Sequence, residues 1–188
     1  MLAEKLKEDT KANHQLLEKR LIAKMQAMRS EKDYAGLLIL FYSYFGGLEL
    51  AINQHFDAAR LPDYHLRRKT KAIANDLEHL GAALPKLATG SQLPAITNHF
   101  ESLGALYVIE GSTLGGQIIT KMLMQQLHAT GTPGFSFFSG YGDDTMRMWQ
   151  AFKLILDDPF NIPNPGVIIQ AANDTFLKFG LWFDGQMQ

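Results

Sequence analysis

The sequence predicts an all-α fold, a single-domain multi-helix bundle spanning residues 1–188. Three observations carry this expectation. Apolar residues recur at three- and four-residue spacings over long stretches, no alternating run is long enough for a strand, and neither repeats nor low-complexity segments break the chain. A chain of 188 residues has the size of one ordinary domain. By the usual size scaling about 70% of its surface is buried on folding, enough for a core without covalent staples.

Leu6, Leu17, Leu21, Met25 and Met28 fall at helical spacings, and residues 2–35 contain no Pro or Gly. Ser30, with Asp33 three residues later, starts the next helix, which carries the dense apolar stretch from Tyr34 to Ala51. Gly46 and Gly47 inside that stretch each cost about 1 kcal/mol relative to Ala, which points to close packing there. Pro62–Asp63 ends this helix and opens a more polar one reaching residue 81, with the cluster HLRRKTK (65–71) read as a solvated face and, as a minority reading, a partner-docking patch. Residues 85–94, with Pro85, Gly90, Ser91 and Pro94, form a loop. From Ala95 to Ala129 there is no proline, and the segment reads as one long helix carrying four glycines. GTPGFSFFSGYGDD (131–144) is a Gly/aromatic loop ending at Asp143, read as the N-cap of a helix to Leu156. DDPFNIPNPG breaks the chain again, and Val167 to Phe183 supplies the last helix.

Composition excludes several classes of function. The absence of cysteine removes disulfide scaffolds, Cys-ligated zinc or iron–sulfur sites and thiol catalysis. Eighteen basic and 19 acidic residues give a net charge of −1, so no global field draws the chain to nucleic acid or an anionic membrane. The start MLAEKLKEDTKANH lacks an apolar h-region, and no uninterrupted apolar run of ~18 residues occurs, so a cytoplasmic chain is expected. Glu-x-x-His, His-Glu-x-x-His, Walker A, the dinucleotide fingerprint and Gly-x-Ser-x-Gly are all missing. Trp149, Trp182, Phe152, Phe176 and Phe179 read as core, and His55, His65, His79, His99 and His128 have no metal-ligand spacing.

Two helical faces stand out. With Lys7 at 0° and 100° per residue, Lys11, His14 and Glu18 fall within about 40° of it, a charged stripe at the edge of the apolar face. His14 is then either a surface histidine with an i,i+4 Glu18 partner, or a metal ligand or acid–base group oriented by Glu18 with Lys7 and Lys11 beside an anion. On the long helix, Gly104, Gly111 and Gly115 share a stripe about 40° wide and ~16 Å long, with Gly116 adjacent. Either another helix packs closely on it, or a flat rigid ligand such as a porphyrin face lies on the backbone where any Cβ would collide.

DTKANHQLLE (9–18) together with LGALYVIEGSTLGGQII (103–119) resembles the proximal and distal helix motifs of the haem oxygenases, and FFSGYGDDTMRMWQAF (137–152) resembles the bacterial, biliverdin-producing branch that includes the bacteriophytochrome-associated enzymes. The likeness runs in order from about residue 5 to 183. It implies that His14 is the axial ligand of the haem iron and that Glu18 hydrogen-bonds it. It places Lys7, Lys11 and Tyr107 near the propionates, and Gly111, Gly115 and Gly116 against the haem and its bound oxygen. Ser112 stands where the animal-type enzymes carry an aspartate, as it does in bacterial relatives with a different water network. The implied activity is oxidative cleavage of haem, both substrate and cofactor, to biliverdin, ferrous iron and carbon monoxide, using O2 and an external donor such as ferredoxin or another reductase. The alternative is a haem-binding or haem-sensing protein on the same fold without turnover. Neither nucleic acid nor membrane partners are expected.

Overall fold

A computed structural model describes residues 1–129 and 134–185. Nine α-helices make up the described part: α1 (Leu2–Asp9), α2 (Lys11–Ala27), α3 (Glu31–His55), α4 (Lys71–His79), α5 (His99–Gly111), α6 (Thr113–Gln126), α7 (Ser136–Ser139), α8 (Thr145–Leu156) and α9 (Pro165–Gly185). No strand occurs among the described residues. Part of the expected loop, residues 131–133, lies outside them.

The expected first helix is two. Thr10 interrupts it at φ −102°, and its hydroxyl donates to the Leu6 carbonyl at 2.7 Å, the back-bonding that bends helices. The hydrogen-bond ladder still crosses the bend, Thr10 N to Leu6 O and His14 N to Thr10 O, both 3.0 Å, so the stripe from Lys7 to Glu18 is bent rather than broken. α3 begins where expected, under a full capping box from Ser30 and Asp33. By length and composition alone α3 could cross a membrane, yet it is the central helix of the bundle, packed against α4, α5 and α9.

The glycine pair in α3 is explained by the loop that passes over it. A Cβ on Gly47 would lie 2.1 Å from the Ala88 carbonyl oxygen, and one on Gly46 would lie 2.5 Å from the Leu87 side chain. The loop is fastened there by Ala88 N donating to Ser43 O and Ser43 Oγ donating to Lys86 O. The polar helix expected over 63–81 shrinks to α4, preceded by 3-10 turns at Ala58–Arg60 and Tyr64–Leu66. Asp144 rather than Asp143 precedes α8, and its side chain makes no capping bond.

The expected single helix over 95–129 breaks at Ser112 into α5 and α6. α5 lies along α9 so closely that a Cβ on Gly104 would meet the Ile168 carbonyl at 2.3 Å and the Ala171 Cβ at 2.8 Å. Gly104 therefore serves helix packing. Gly116 does the same on the other side of the break, where a Cβ would sit 1.9 Å from the Phe138 carbonyl oxygen. Gly116→Ala should lower stability by about 2 kcal/mol, because backbone rather than a flexible side chain has to move. A urea midpoint equal to that of the unmodified chain would contradict the packing.

Candidate functional site

Within the apolar run ALYVIEG, Glu110 is a single acid, 1% exposed in the fold. Burial of a carboxylate demands partners. Arg67 supplies the first, Nη1 donating to Oε2 at 2.8 Å while Nε and Nη2 hold both carboxylate oxygens of Asp63. Tyr141 supplies the second, its hydroxyl 3.0 Å from each Glu110 oxygen. Burial, then the charge of Glu110, pushes the Tyr141 hydroxyl far up, so it stays protonated and donates. The backbone N–H of Arg68 donates to that same hydroxyl at 2.8 Å.

Arg68 completes the cluster and reaches the helix break. Its Nη2 donates to Ile109 O at 2.8 Å and to Ser112 Oγ at 2.6 Å, and Nη1 donates to Phe137 O at 3.1 Å. Ser112 Oγ in turn donates to Ile109 O, and Thr113 Oγ1 donates to Glu110 O. Side chains thus satisfy the carbonyls that the end of α5 leaves open, which is why the chain can break there. Burial pulls the Arg68 guanidinium down to about 10, so it remains a cation at neutral pH. The expected solvated face HLRRKTK is corrected: Arg67 and Arg68 are buried, 3% and 9% exposed, and staple the break. The detectable signal was a lone Glu in an apolar run, which needs a cation, and two consecutive arginines available to supply it. Glu110→Gln should cost about 3 kcal/mol by leaving Arg67 buried against a neutral amide, measurable as a lower urea midpoint.

Past the break, α6 presents bare backbone. Nothing lies within 4 Å of a Cβ built on Gly115, and one on Gly111 makes only ordinary contact, 3.8 Å from the Trp149 ring. Of the three-glycine stripe, Gly115 faces open space, Gly111 only touches the Trp149 ring, and Gly104 is filled by protein, as is the neighbouring Gly116. Beside them Leu114 and Ile118 are exposed, Ile118 at 76%.

On α2, His14 is exposed, its ring 5.5 Å from that of Phe176 in α9. The expected bond from Glu18 does not form, since no hydrogen bond or ion pair joins the two side chains; both are turned to solvent one helical turn apart. Lys7 and Lys11 are exposed, and neither enters an ion pair among the described residues. Tyr107, by contrast, is buried against Trp149, ring centroids 5.7 Å apart. Burial raises its hydroxyl pKa, opposed by the Thr10 hydroxyl that it faces.

These contacts set α2 and the α5–α6 pair side by side. Near their N-terminal ends Tyr107 faces Thr10. At their C-terminal ends the Gln126 side chain donates to the carbonyls of Met25, Gln26 and Met28. The two paths therefore run parallel. From Thr10 to Met25 is about 22 Å of helix, and from Tyr107 to Gln126 about 28 Å. The surplus of ~6 Å is absorbed by the bend at Ser112. His14 lies one turn above Thr10 as Gly111 lies one turn above Tyr107, and both His14 and Gly115 lie eleven residues, about 16 Å, short of the upper contact. Counted along the two paths, the exposed imidazole and the open glycines lie at similar levels between the two contacts. Among the described residues no three His, Cys, Asp or Glu side chains cluster for a bare ion. A metal held at His14 would have to bring its remaining ligands with it.

The fold is an all-helical bundle with an exposed histidine on α2 and open glycine backbone at the α5–α6 break. The Heme oxygenase family model matches residues 1–185, and the chain belongs to the haem oxygenase family, enzymes that degrade haem. A heme oxygenase of Xanthomonas campestris pv. campestris is 28% identical over 131 residues, 66% of this chain and 72% of that one. The NO- and CO-bound heme oxygenase of Neisseria meningitidis superposes with TM-score 0.80 at 23% identity, covering 99% of this chain and 92% of that one. The heme oxygenase of Leptospira interrogans superposes with TM-score 0.77 at 21% identity, covering 98% of each. These two likenesses concern the fold.

Proposed function

We propose that the slot between α2 and α6 is where haem is held and cleaved, with His14 on the iron and Gly111 and Gly115 against the opposite face. The carrying observation is that a Cβ on Gly115 would meet nothing within 4 Å and one on Gly111 would only touch the Trp149 ring, so this stretch of backbone is left open although glycine weakens a helix. The donor set suits the group: an exposed imidazole with no hydrogen-bond partner among the described residues, bare backbone where a porphyrin needs contact distance, and the exposed ammonium groups of Lys7 and Lys11 for the propionates. Tyr107 is the aromatic at the floor of the slot.

Bound haem supplies the redox chemistry, with O2 and electrons from an external donor such as a ferredoxin or another reductase, and the products are biliverdin, ferrous iron and carbon monoxide. The protein's share is orientation and proton management. Ser112 cannot itself release a proton to the glycine face, because its hydrogen is given to Ile109 O. Its oxygen has a lone pair left after accepting from Arg68, so it can anchor a water whose second hydrogen points into the slot. The buried Arg68 charge behind Ser112 favours negative charge developing on that side. Catalytic contacts are thus assigned to Gly111, Gly115 and Ser112, while Gly116 belongs to the packing beneath them. The cell compartment we assign is the cytoplasm.

The test is an optical titration of the purified chain with hemin, followed by O2 with ascorbate or a ferredoxin system. A one-to-one histidine-type Soret complex that decays to a biliverdin spectrum is the expected result. A stable complex that never decays would make the chain a haem carrier or sensor, and no complex at all would overturn the site.

A further inference from the structure

The geometry points to Gln126 as the positioning residue that sets the width of the slot, and with it the grip on the substrate; the inference rests on the haem reading of the site above. α2 packs along α9, away from α6, so its distance from the glycine face is fixed only where the two paths are tied. At the lower end Tyr107, on α5 before the break at Ser112, stands beside Thr10, whose hydroxyl is already given to the Leu6 carbonyl. α6, which carries Gly115, is past the break and rests on α7, with the Gly116 backbone against the Phe138 carbonyl and Gln117 Nε2 donating to Gly142 O. Among the described residues its side-chain hydrogen bonds to α2 are those of Gln126.

That tie is specific in chemistry. The last turn of any α-helix leaves carbonyls without intrahelical partners. At the end of α2 they are shared between Arg29, which donates to Gln26 O and Met28 O from one and three residues away, and Gln126, which reaches Met25 O, Gln26 O and Met28 O from about a hundred residues away in sequence. Arg29 is local and fixes nothing about α6. Met25 and Met28, 1% and 2% exposed, close the core at this level, but apolar contact has no direction and tolerates sliding. Only the Gln126 amide, with two hydrogens aimed at a helix end, defines a register. With α6 seated on α7 at Gly116, the Gln126 tie fixes how far the end of α2 stands from α6, about 16 Å along each helix from His14 and from Gly115.

The absence of cysteine makes the distance directly measurable. Lys19→Cys on α2 and Lys121→Cys on α6 are exposed positions for a pair of spin labels, and the pulsed-EPR distance distribution is read without hemin. Gln126→Glu keeps the size but replaces the donor with an acceptor. It should broaden or lengthen the α2–α6 distance, weaken hemin binding about tenfold and raise KM for hemin more than it lowers kcat. Gln126→Arg, a longer donor that can still cap the carbonyls, should restore both the distance and the hemin affinity. A narrow, unshifted distribution with unchanged hemin affinity in Gln126→Glu would overturn the role given to Gln126. Failure of the unmodified chain to take up hemin would instead overturn the reading of the slot. Should Gln126→Glu fold poorly, Gln126→Asn, whose amide is too short to reach, is read the same way against Gln126→Arg.

Discussion

His14→Ala keeps the fold and loses the histidine-type Soret complex, with haem turnover falling at least ~100-fold, about 2.7 kcal/mol of transition-state stabilisation. The two halves of this expectation come from different observations. His14 is exposed, its ring tilted at 43° to that of Phe176 with centroids 5.5 Å apart, so it contributes little packing. Alanine is also the better helix former at an interior position of α2, which leaves stability within about 0.5 kcal/mol of the original. The imidazole, however, is the group proposed to hold the iron, and no cluster of three His, Cys, Asp or Glu side chains among the described residues could replace it. Added free imidazole should occupy the vacated position and recover part of the Soret band. If turnover and Soret position in His14→Ala match those of the unmodified chain, the assignment of α2 as the iron-bearing side is wrong.

What the sequence discloses and what it hides divide along physical lines. α3 was legible to the residue at its start, because Ser30 and Asp33 are a local device that acts within one turn. The Gly46–Gly47 pair announced close packing, but which chain segment packed there depended on Ala88, some forty residues away. The bends at Thr10 and Ser112 were hidden for the same reason. Helical periodicity survives a bend of this kind, and the cause at Ser112 is Arg68, which reaches in from another part of the chain to take the open carbonyls. The cluster HLRRKTK misled because charge pattern alone reads as solvation. Only the buried Glu110 reveals why two guanidinium groups turn inward. At the site, His14 and the glycine stripe were both visible as faces. Their division was not, since Gly104, which packs on α9, shares one side of an ideal helix with Gly111 and Gly115, which stay open.

Gly115→Leu should separate stability from function in opposite directions. A glycine in a helix interior costs about 1 kcal/mol relative to a good helix former, and nothing lies within 4 Å of a Cβ at Gly115. The leucine Cβ meets no protein there, so the apo form should gain roughly 0.5–1 kcal/mol and unfold at a higher urea midpoint. The same side chain would project into the space opposite His14, where it competes with a porphyrin face for contact distance. Hemin affinity and turnover should therefore fall at least ~10-fold while the protein becomes more stable, the trade expected where a residue is kept for a ligand rather than for the fold. Gly116→Ala is the internal contrast, one residue away: the Phe138 carbonyl fills its space, so there the smaller change should destabilise. A general effect of adding side chains to α6 would move both variants the same way. Turnover by Gly115→Leu at the original rate, with the same biliverdin isomer, would mean that the open backbone faces solvent alone and that the substrate lies elsewhere.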